Sequence, residues 1–125
     1  MSEEMTRHRR SLGEEGEEIA ADYVRSLDWI VVERNWRCPA GELDLIAYDQ
    51  AEACVVAVEV KTRTTAYFGR PVEAVKQAKI DRLHRLVRMY LSQQGLFARQ
   101  VRVDLIGIVL VDGSVVDLEH LRDIA

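Results

Sequence analysis

Residues 54–63 read CVVAVEVKTR. Cys54 to Val58 form an apolar run rich in β-branched residues, the pattern of a strand buried on both faces. Glu59 and Lys61 then stand two residues apart at its end. Side chains alternate along a strand, so Ala57, Glu59 and Lys61 share one face while Val56, Val58 and Val60 share the other. A charge carried into a sheet is costly unless it is paired or bound to a metal. Glu59 therefore needs a partner from a neighbouring strand.

The preceding segment supplies a candidate. Leu43 to Tyr48 reads as a strand, and the short polar link Asp49 to Ala53 predicts an antiparallel hairpin with the 54–61 strand. Asp44, Ile46 and Tyr48 then share a face, and Asp44 falls close to Glu59. Two readings fit this convergence. In one, Glu59 and Lys61 belong to a surface ion pair and Asp44 closes a turn. In the other, the carboxylates and a backbone carbonyl hold Mg²⁺, a hard cation that prefers oxygen ligands and keeps several waters. The lysine would then position or deprotonate a water for attack on a phosphodiester.

The flanking segments predict the remaining architecture. Ser11-x-x-Glu14 is a capping-box pattern opening a helix to about Leu27, with Leu12, Ile19, Ala20, Tyr23 and Leu27 as its apolar stripe. Glu14, Glu15 and Glu18 lie away from that stripe, and Glu17 lies at its margin. Trp29 to Trp36 reads as a first strand, followed by a turn at Cys38-Pro39-Ala40-Gly41. Thr64 to Arg70 is expected to be a loop. Pro71 suits the first turn of a long helix ending near Gln94 and Gly95. Its inward residues are Val72, Val75, Leu83, Leu86, Val87, Tyr90 and Leu91. Val101 to Val111 is a second near-continuous apolar strand, and after Asp112-Gly113 a short strand and a helical turn are expected. The α-β-β-β-α-β order, with a final short strand, describes a mixed central sheet flanked by helices: a three-layer α/β domain over residues 11–125, preceded by a flexible basic tail at 1–10.

Net charge is −4, yet its distribution is uneven. Residues 61–90 carry eight basic side chains, Lys61, Arg63, Arg70, Lys76, Lys79, Arg82, Arg85 and Arg88, against Glu73 and Asp81. A local field of this kind attracts phosphate although the whole chain is acidic. The same spacing also suits a solvated amphipathic face. Cys38 and Cys54 lack ligand-like spacing and read as reduced thiols. His8, His84 and His120 are scattered, which supports neither a zinc site nor a histidine base. No phosphate-cradling glycine loop and no Gly-x-Ser-x-Gly elbow occurs, so ATP use and acyl transfer drop out. With no long apolar run and no signal-peptide pattern, no membrane association and a cytoplasmic location are expected.

An Asp followed about fifteen residues later by Glu-x-Lys on a central strand resembles the PD-(D/E)xK nuclease core. More specifically, "GEEGEEIAADYV", "GELDLIA", "VEVKTR" and "FGRPVEAVKQAKIDRL" together resemble the bacterial YraN family, over about Leu12 to Ile108. Members of that family are regarded as predicted endonucleases, similar to archaeal Holliday-junction resolvases. The resemblance implies a restriction-endonuclease-like fold and a Mg²⁺- or Mn²⁺-dependent endonuclease acting on DNA, including branched or junction DNA. It implies Asp44 and Glu59 as metal ligands, Val60 as a ligand through its carbonyl, and Lys61 as the catalytic lysine. Glu17 matches an acidic position that completes the site in related resolvases, and Glu42 either orients Asp44 or serves the turn. "CPAGELD" replaces the more polar lead-in common in the family and leaves the acidic residues in place. Arg63, Arg70, Lys76, Gln77, Lys79, Arg82 and Arg85 are the expected nucleic-acid contacts, which position a backbone without reading its sequence. Tyr67 and Phe68 are candidates either for stacking on an unpaired base or for anchoring the loop. Junction resolution calls for a homodimer with two sites. The alternative is a module on the same fold that binds nucleic acid or a protein and cuts nothing.

Overall fold

The computed structural model describes residues 11–64 and 75–124. The expectations for the tail at 1–10, and for Tyr67, Phe68, Arg70, Pro71 and Val72, lie outside these residues. The first helix, α1, spans Leu12–Ser26 and opens on the predicted capping box: the Glu14 N–H donates to Ser11 Oγ, and the Ser11 N–H donates to Glu14 Oε1, both at 3.1 Å. Its buried face is Gly16, Ala20, Ala21 and Val24. Leu12, expected in the apolar stripe, is instead exposed at the first position of the helix.

Strands β1 (Ile30–Cys38), β2 (Gly41–Asp49) and β3 (Cys54–Arg63) form an antiparallel meander. Helix α2 spans Gln77–Gln93, and strands β4 (Gln100–Val111) and β5 (Ser114–Leu121) complete the chain. The sheet order is β1-β2-β3-β4-β5, and only β3 and β4 run parallel, which is why a helix crosses between them. The mixed sheet with a helix on each face is the three-layer α/β fold expected.

Two boundaries differ from the sequence reading. Helix α2 begins at Gln77 rather than near Pro71, with Lys76 in extended conformation as its N-cap, so Val75 precedes the helix instead of lying on its inner face. The segment after Asp112-Gly113 is an eight-residue strand paired with β4 from Ser114 to Leu121, and no helical turn follows among the described residues.

Each face of the sheet buries its own cluster. On the α1 side, Ala20, Ala21, Val24 and Trp29 pack against Leu45, Ala47, Val56, Val58, Ile106 and Ile108. On the α2 side, Leu83, Leu86, Val87, Tyr90 and Leu91 pack against Leu43, Ile46, Val55, Ala57 and Val103. Alternation along β3 thus sends odd residues toward α2 and even residues toward α1. No helix among the described residues is long and apolar enough to cross a membrane.

Candidate active site

The hairpin register brings the two sequence-predicted carboxylates together. Leu45 pairs with Val58 and Ile46 with Ala57, so the next step along both strands sets Asp44 against Glu59. The β2–β3 ladder ends at Leu45, and the Val60 N–H donates to Asp44 Oδ2 at 3.0 Å. A side-chain carboxylate thus caps a backbone donor that the neighbouring strand no longer reaches.

Asp44 occupies a seam in the sheet. Leu43 packs on the α2 side and Leu45 on the α1 side, although residues two apart on a regular strand share a face. The same slip occurs on β1. Arg34 reaches Glu18 of α1 at 2.9 Å, while Trp36 meets the ring of Tyr90 on α2 at 5.5 Å. Asn35, between them and opposite Asp44, has φ +53°, the left-handed conformation that Asn tolerates better than most residues. This kink turns Asp44 inward between two other carboxylates, Glu59 on the α2 side and Glu17 on α1.

The electrostatic consequence is large. Burial, the charge of Glu59 and a hydrogen bond with the Glu59 carboxyl all push Asp44 up, with Glu17 adding to them; the Val60 N–H pulls the other way, and the result is about 7. Asp44 therefore holds a proton well above the ordinary carboxylate range, the behaviour of two acids crowded into one site. Glu59 is only 6 % exposed and is ion-paired with the Lys79 ammonium of α2.

These groups line one cleft of about 330 Å³, bounded by Glu42, Asp44, Glu59, Val60, Lys61, Lys79 and Arg82 over a floor of Leu83 and Leu86. Gly41 allows the close approach: it has φ +148°, and a Cβ there would lie 3.1 Å from Leu86 Cδ1. Of the expected residues, Asp44, Glu59, Val60, Lys61, Lys79 and Arg82 meet in this cleft. Glu17 does not line it; it borders a recess with Glu14, Glu18, Arg34 and Asn35, and reaches Asp44 only through its charge. Arg63 is half-buried at the end of β3, and Lys76 and Arg85 are exposed outside the cleft lining. Gln77 is exposed and donates to Asp81 Oδ1 at 2.9 Å. Arg70 lies outside the described residues.

The donor set fits a hard divalent cation. Two crowded carboxylates, one of them uncomfortable as an anion beside the other, gain most from a cation between them, and a backbone carbonyl at Val60 is a further oxygen donor. Among the described residues no group of three or more Asp, Glu, His or Cys side chains is placed to hold a metal ion by itself, so the remaining positions would fall to water and substrate oxygens.

Sequence reasoning passes over a second group of buried charges, on the α1 side. Asp104 of β4 is fully buried. His120 Nε2 lies 2.9 Å from its Oδ2, Arg102 Nε donates to its Oδ1 at 2.9 Å, and the Asp123 N–H donates to it at 3.0 Å. His120 Nδ1 lies 3.0 Å from the Tyr23 hydroxyl. The signal is present in the chain: Asp104 interrupts an apolar strand as Glu59 does. Only the fold shows that β5 and α1 satisfy it.

Comparison with known proteins identifies the family. The profile described as "Uncharacterised protein family UPF0102" matches residues 16–108, from the start of the buried face of α1 into β4. A UPF0102 protein of Beutenbergia cavernae is 42% identical over 118 residues, covering 94% of this chain and 98% of its own. One from Paenarthrobacter aurescens is 45% identical over 115 residues, covering 90% of this chain and 92% of its own. One from Mycobacterium sp. (strain JLS) is 44% identical over 117 residues, covering 94% and 87%. With the match running through most of the fold and all of the cleft strands, the chain belongs to the UPF0102, or YraN, family.

Proposed function

We propose that this protein is a metal-dependent endonuclease of the PD-(D/E)xK type that hydrolyses DNA phosphodiester bonds, branched or junction DNA among its substrates. The observation that carries the reading is the convergence of Asp44 and Glu59 at the end of β3, with Lys61 lining the same cleft. Asp44, Glu59 and the Val60 carbonyl would hold Mg²⁺ or Mn²⁺. When bound, such an ion acidifies water and neutralises charge on phosphoryl oxygens. Lys61, on the Glu59 face of β3, orients the attacking water or offsets charge growing on the phosphate. Lys79 and Arg82, entering from α2, hold the scissile phosphate and its neighbour. Glu17 acts through Asp44, adding negative charge behind it.

One observation favours the alternative of a binding module that cuts nothing. The Lys79 ammonium already neutralises Glu59, so the site is electrostatically closed without a metal. A single experiment separates the two: single-stranded, duplex, flap and four-way-junction DNA incubated with Mg²⁺, with Mn²⁺ and with chelator. Metal-dependent cleavage of any of them supports the nuclease. Binding with no cleavage across the panel supports the module.

A further inference from the structure

A recess larger than the cleft lies at the opposite end of the sheet, where β3 and β4 begin. It has a volume of about 520 Å³, and its side walls carry Arg88, Arg99, Arg102 and Arg122 against Glu52 and Asp123. Cys54 sits at its floor with a thiol that burial pushes up, so it offers no reactive thiolate. Arg102 is held by Asp49 at 3.0 Å and Asp104 at 2.9 Å, and is 13 % exposed. It shapes the wall and has little charge to offer. Arg122 is half-exposed, 4.0 Å from Asp49 Oδ2 and 5.3 Å from the Trp29 ring, contacts that place its guanidinium at the rim. Arg88 and Arg99 are exposed.

The recess and the cleft are joined by α2. Arg82 lines the cleft, Arg88 lines the recess, and the exposed Arg85 stands between them at helical spacing. Six residues of helix span about 9 Å. From Glu59 back to Cys54 along β3 is about 17 Å. At one phosphate per 3.4 Å of duplex axis per strand, that separation corresponds to about five base pairs.

We infer that the recess lined by Arg88, Arg99 and Arg122 is a second phosphate-binding site, holding the nucleic-acid backbone as it leaves the cleft along the arginine row of α2. The assignment rests on the nuclease reading only for the direction of the path. Its ligand chemistry, a chain of phosphodiesters bound without base readout, follows from the arginines. Guanidinium forks pair with phosphate oxygens in two-pronged geometry, and the carboxylates around them, Glu52 and Asp123 in the lining and Asp49 and Asp104 on Arg102, offset much of their charge, which suits a passing backbone rather than a tightly trapped ion.

The test uses the full chain and a labelled duplex of about 20 base pairs, long enough to span both sites. Arg88→Ala/Arg99→Ala should weaken binding about tenfold or more, and reduce the slope of log affinity against log salt by about two, one for each lost contact. Arg99→Ala alone, at an exposed position before β4, should give half of the slope change and guards against a folding defect. Unchanged affinity and slope in the double variant would overturn the assignment, whether or not the wild type cuts. Stabilisation by pyrophosphate that depends on Arg88 and Arg99, with an unchanged DNA slope, would overturn it in favour of a small-anion site. If the wild type binds DNA through these arginines and cuts none, the nuclease reading fails and the recess stands.

Discussion

The Val60 N–H donates to Asp44 Oδ2 at 3.0 Å, and this bond joins β2 to β3 where their ladder has already ended. It favours an ionised Asp44. Burial and the neighbouring Glu59 oppose it and prevail, leaving the carboxyl at about 7 from an ordinary 3.8. A carboxyl whose folded pKa is raised loses stability as pH climbs from about 4 to 7, and the loss is complete above that range. The full displacement corresponds to at most about 4 kcal/mol, and partial exposure of Asp44 reduces it to about 2.

Asp44→Asn should therefore be more stable than the wild type at pH 8 by about 2 kcal/mol, since an amide oxygen still accepts from Val60. It should also lose any thermal stabilisation by Mn²⁺ or Mg²⁺. Denaturant unfolding with and without metal measures both. A less stable variant, or one that keeps the metal response, would remove Asp44 from the ligand set.

Lys79 tests the other side of the pair. Its ammonium neutralises Glu59 across the gap between α2 and β3. A cation entering beside Glu59 meets that positive charge, so Lys79→Met should bind Mn²⁺ about 5- to 10-fold more tightly, on the order of 1 kcal/mol. DNA affinity should fall at the same time, because a phosphate contact is lost. Calorimetric titration of the metal and a DNA-binding curve give the two readouts. Weaker metal binding would show that Lys79 orients Glu59 rather than competing for it.

Gly16 sets the distance between α1 and the end of β3. A Cβ at this position would overlap the Thr62 hydroxyl and lie 2.9 Å from Thr62 Cβ. Gly16→Ala should destabilise the protein by about 1–3 kcal/mol despite the better helix propensity of alanine. Glu17 would move with the displaced helix, and Thr62→Ala in the same chain should recover part of the loss. Equal stability of Gly16→Ala and wild type would mean that α1 shifts freely on the sheet.

Much of the site is legible in the amino-acid sequence, for a physical reason. Strand alternation and hairpin register are local rules, and they suffice to set Asp44 against Glu59 and to aim Lys61 the same way. The kink at Asn35 obeys no such rule. It accompanies the switch of the β1 and β2 side chains from one face of the sheet to the other, beside Asp44. Lys79 is expected from the sequence to touch nucleic acid; its contact with Glu59 depends on how α2 docks, which helical periodicity leaves open. The Asp104 group stays hidden in the sequence because its partners come from β5 and α1, 16 and 81 residues away in the cases of His120 and Tyr23.

That group bears on acid stability. Burial alone would raise Asp104, but hydrogen bonds from His120, Arg102 and the Asp123 N–H outweigh it and hold the carboxyl below its ordinary 3.8. A depressed folded pKa stabilises at pH above the unfolded value and is lost as pH falls through the folded one, so the window is below about pH 4. Asp104→Asn should cost about 3–5 kcal/mol at pH 7, because Arg102 loses one of its two buried counter-charges and the hydrogen bonds to His120 and the Asp123 N–H are disturbed. It should also flatten the acid limb of the stability curve below pH 4. Parallel unfolding midpoints for the two proteins across that limb would show that Asp104 does not carry it.

Lys61 separates catalyst from binder. It lines the cleft with Glu59 and Asp44, on the same β3 face as Glu59, and so stands beside any phosphate that Lys79 and Arg82 hold there. An ammonium in that position is needed most when charge builds on the phosphoryl oxygens, and least in the ground state, where its neighbours already bind the phosphate. Lys61→Ala should therefore keep DNA and metal affinity within a few-fold while single-turnover cleavage falls by about a hundredfold or more. Lys61→Arg should rescue poorly, since a planar guanidinium does not take the place of a compact ammonium. The comparison needs cleavage and equilibrium binding on the same substrate, chosen from the panel of DNA structures. A Lys61→Ala variant that cuts as fast as the wild type would show that the reacting phosphate lies elsewhere, and one that loses binding and cleavage equally would make Lys61 a plain phosphate contact.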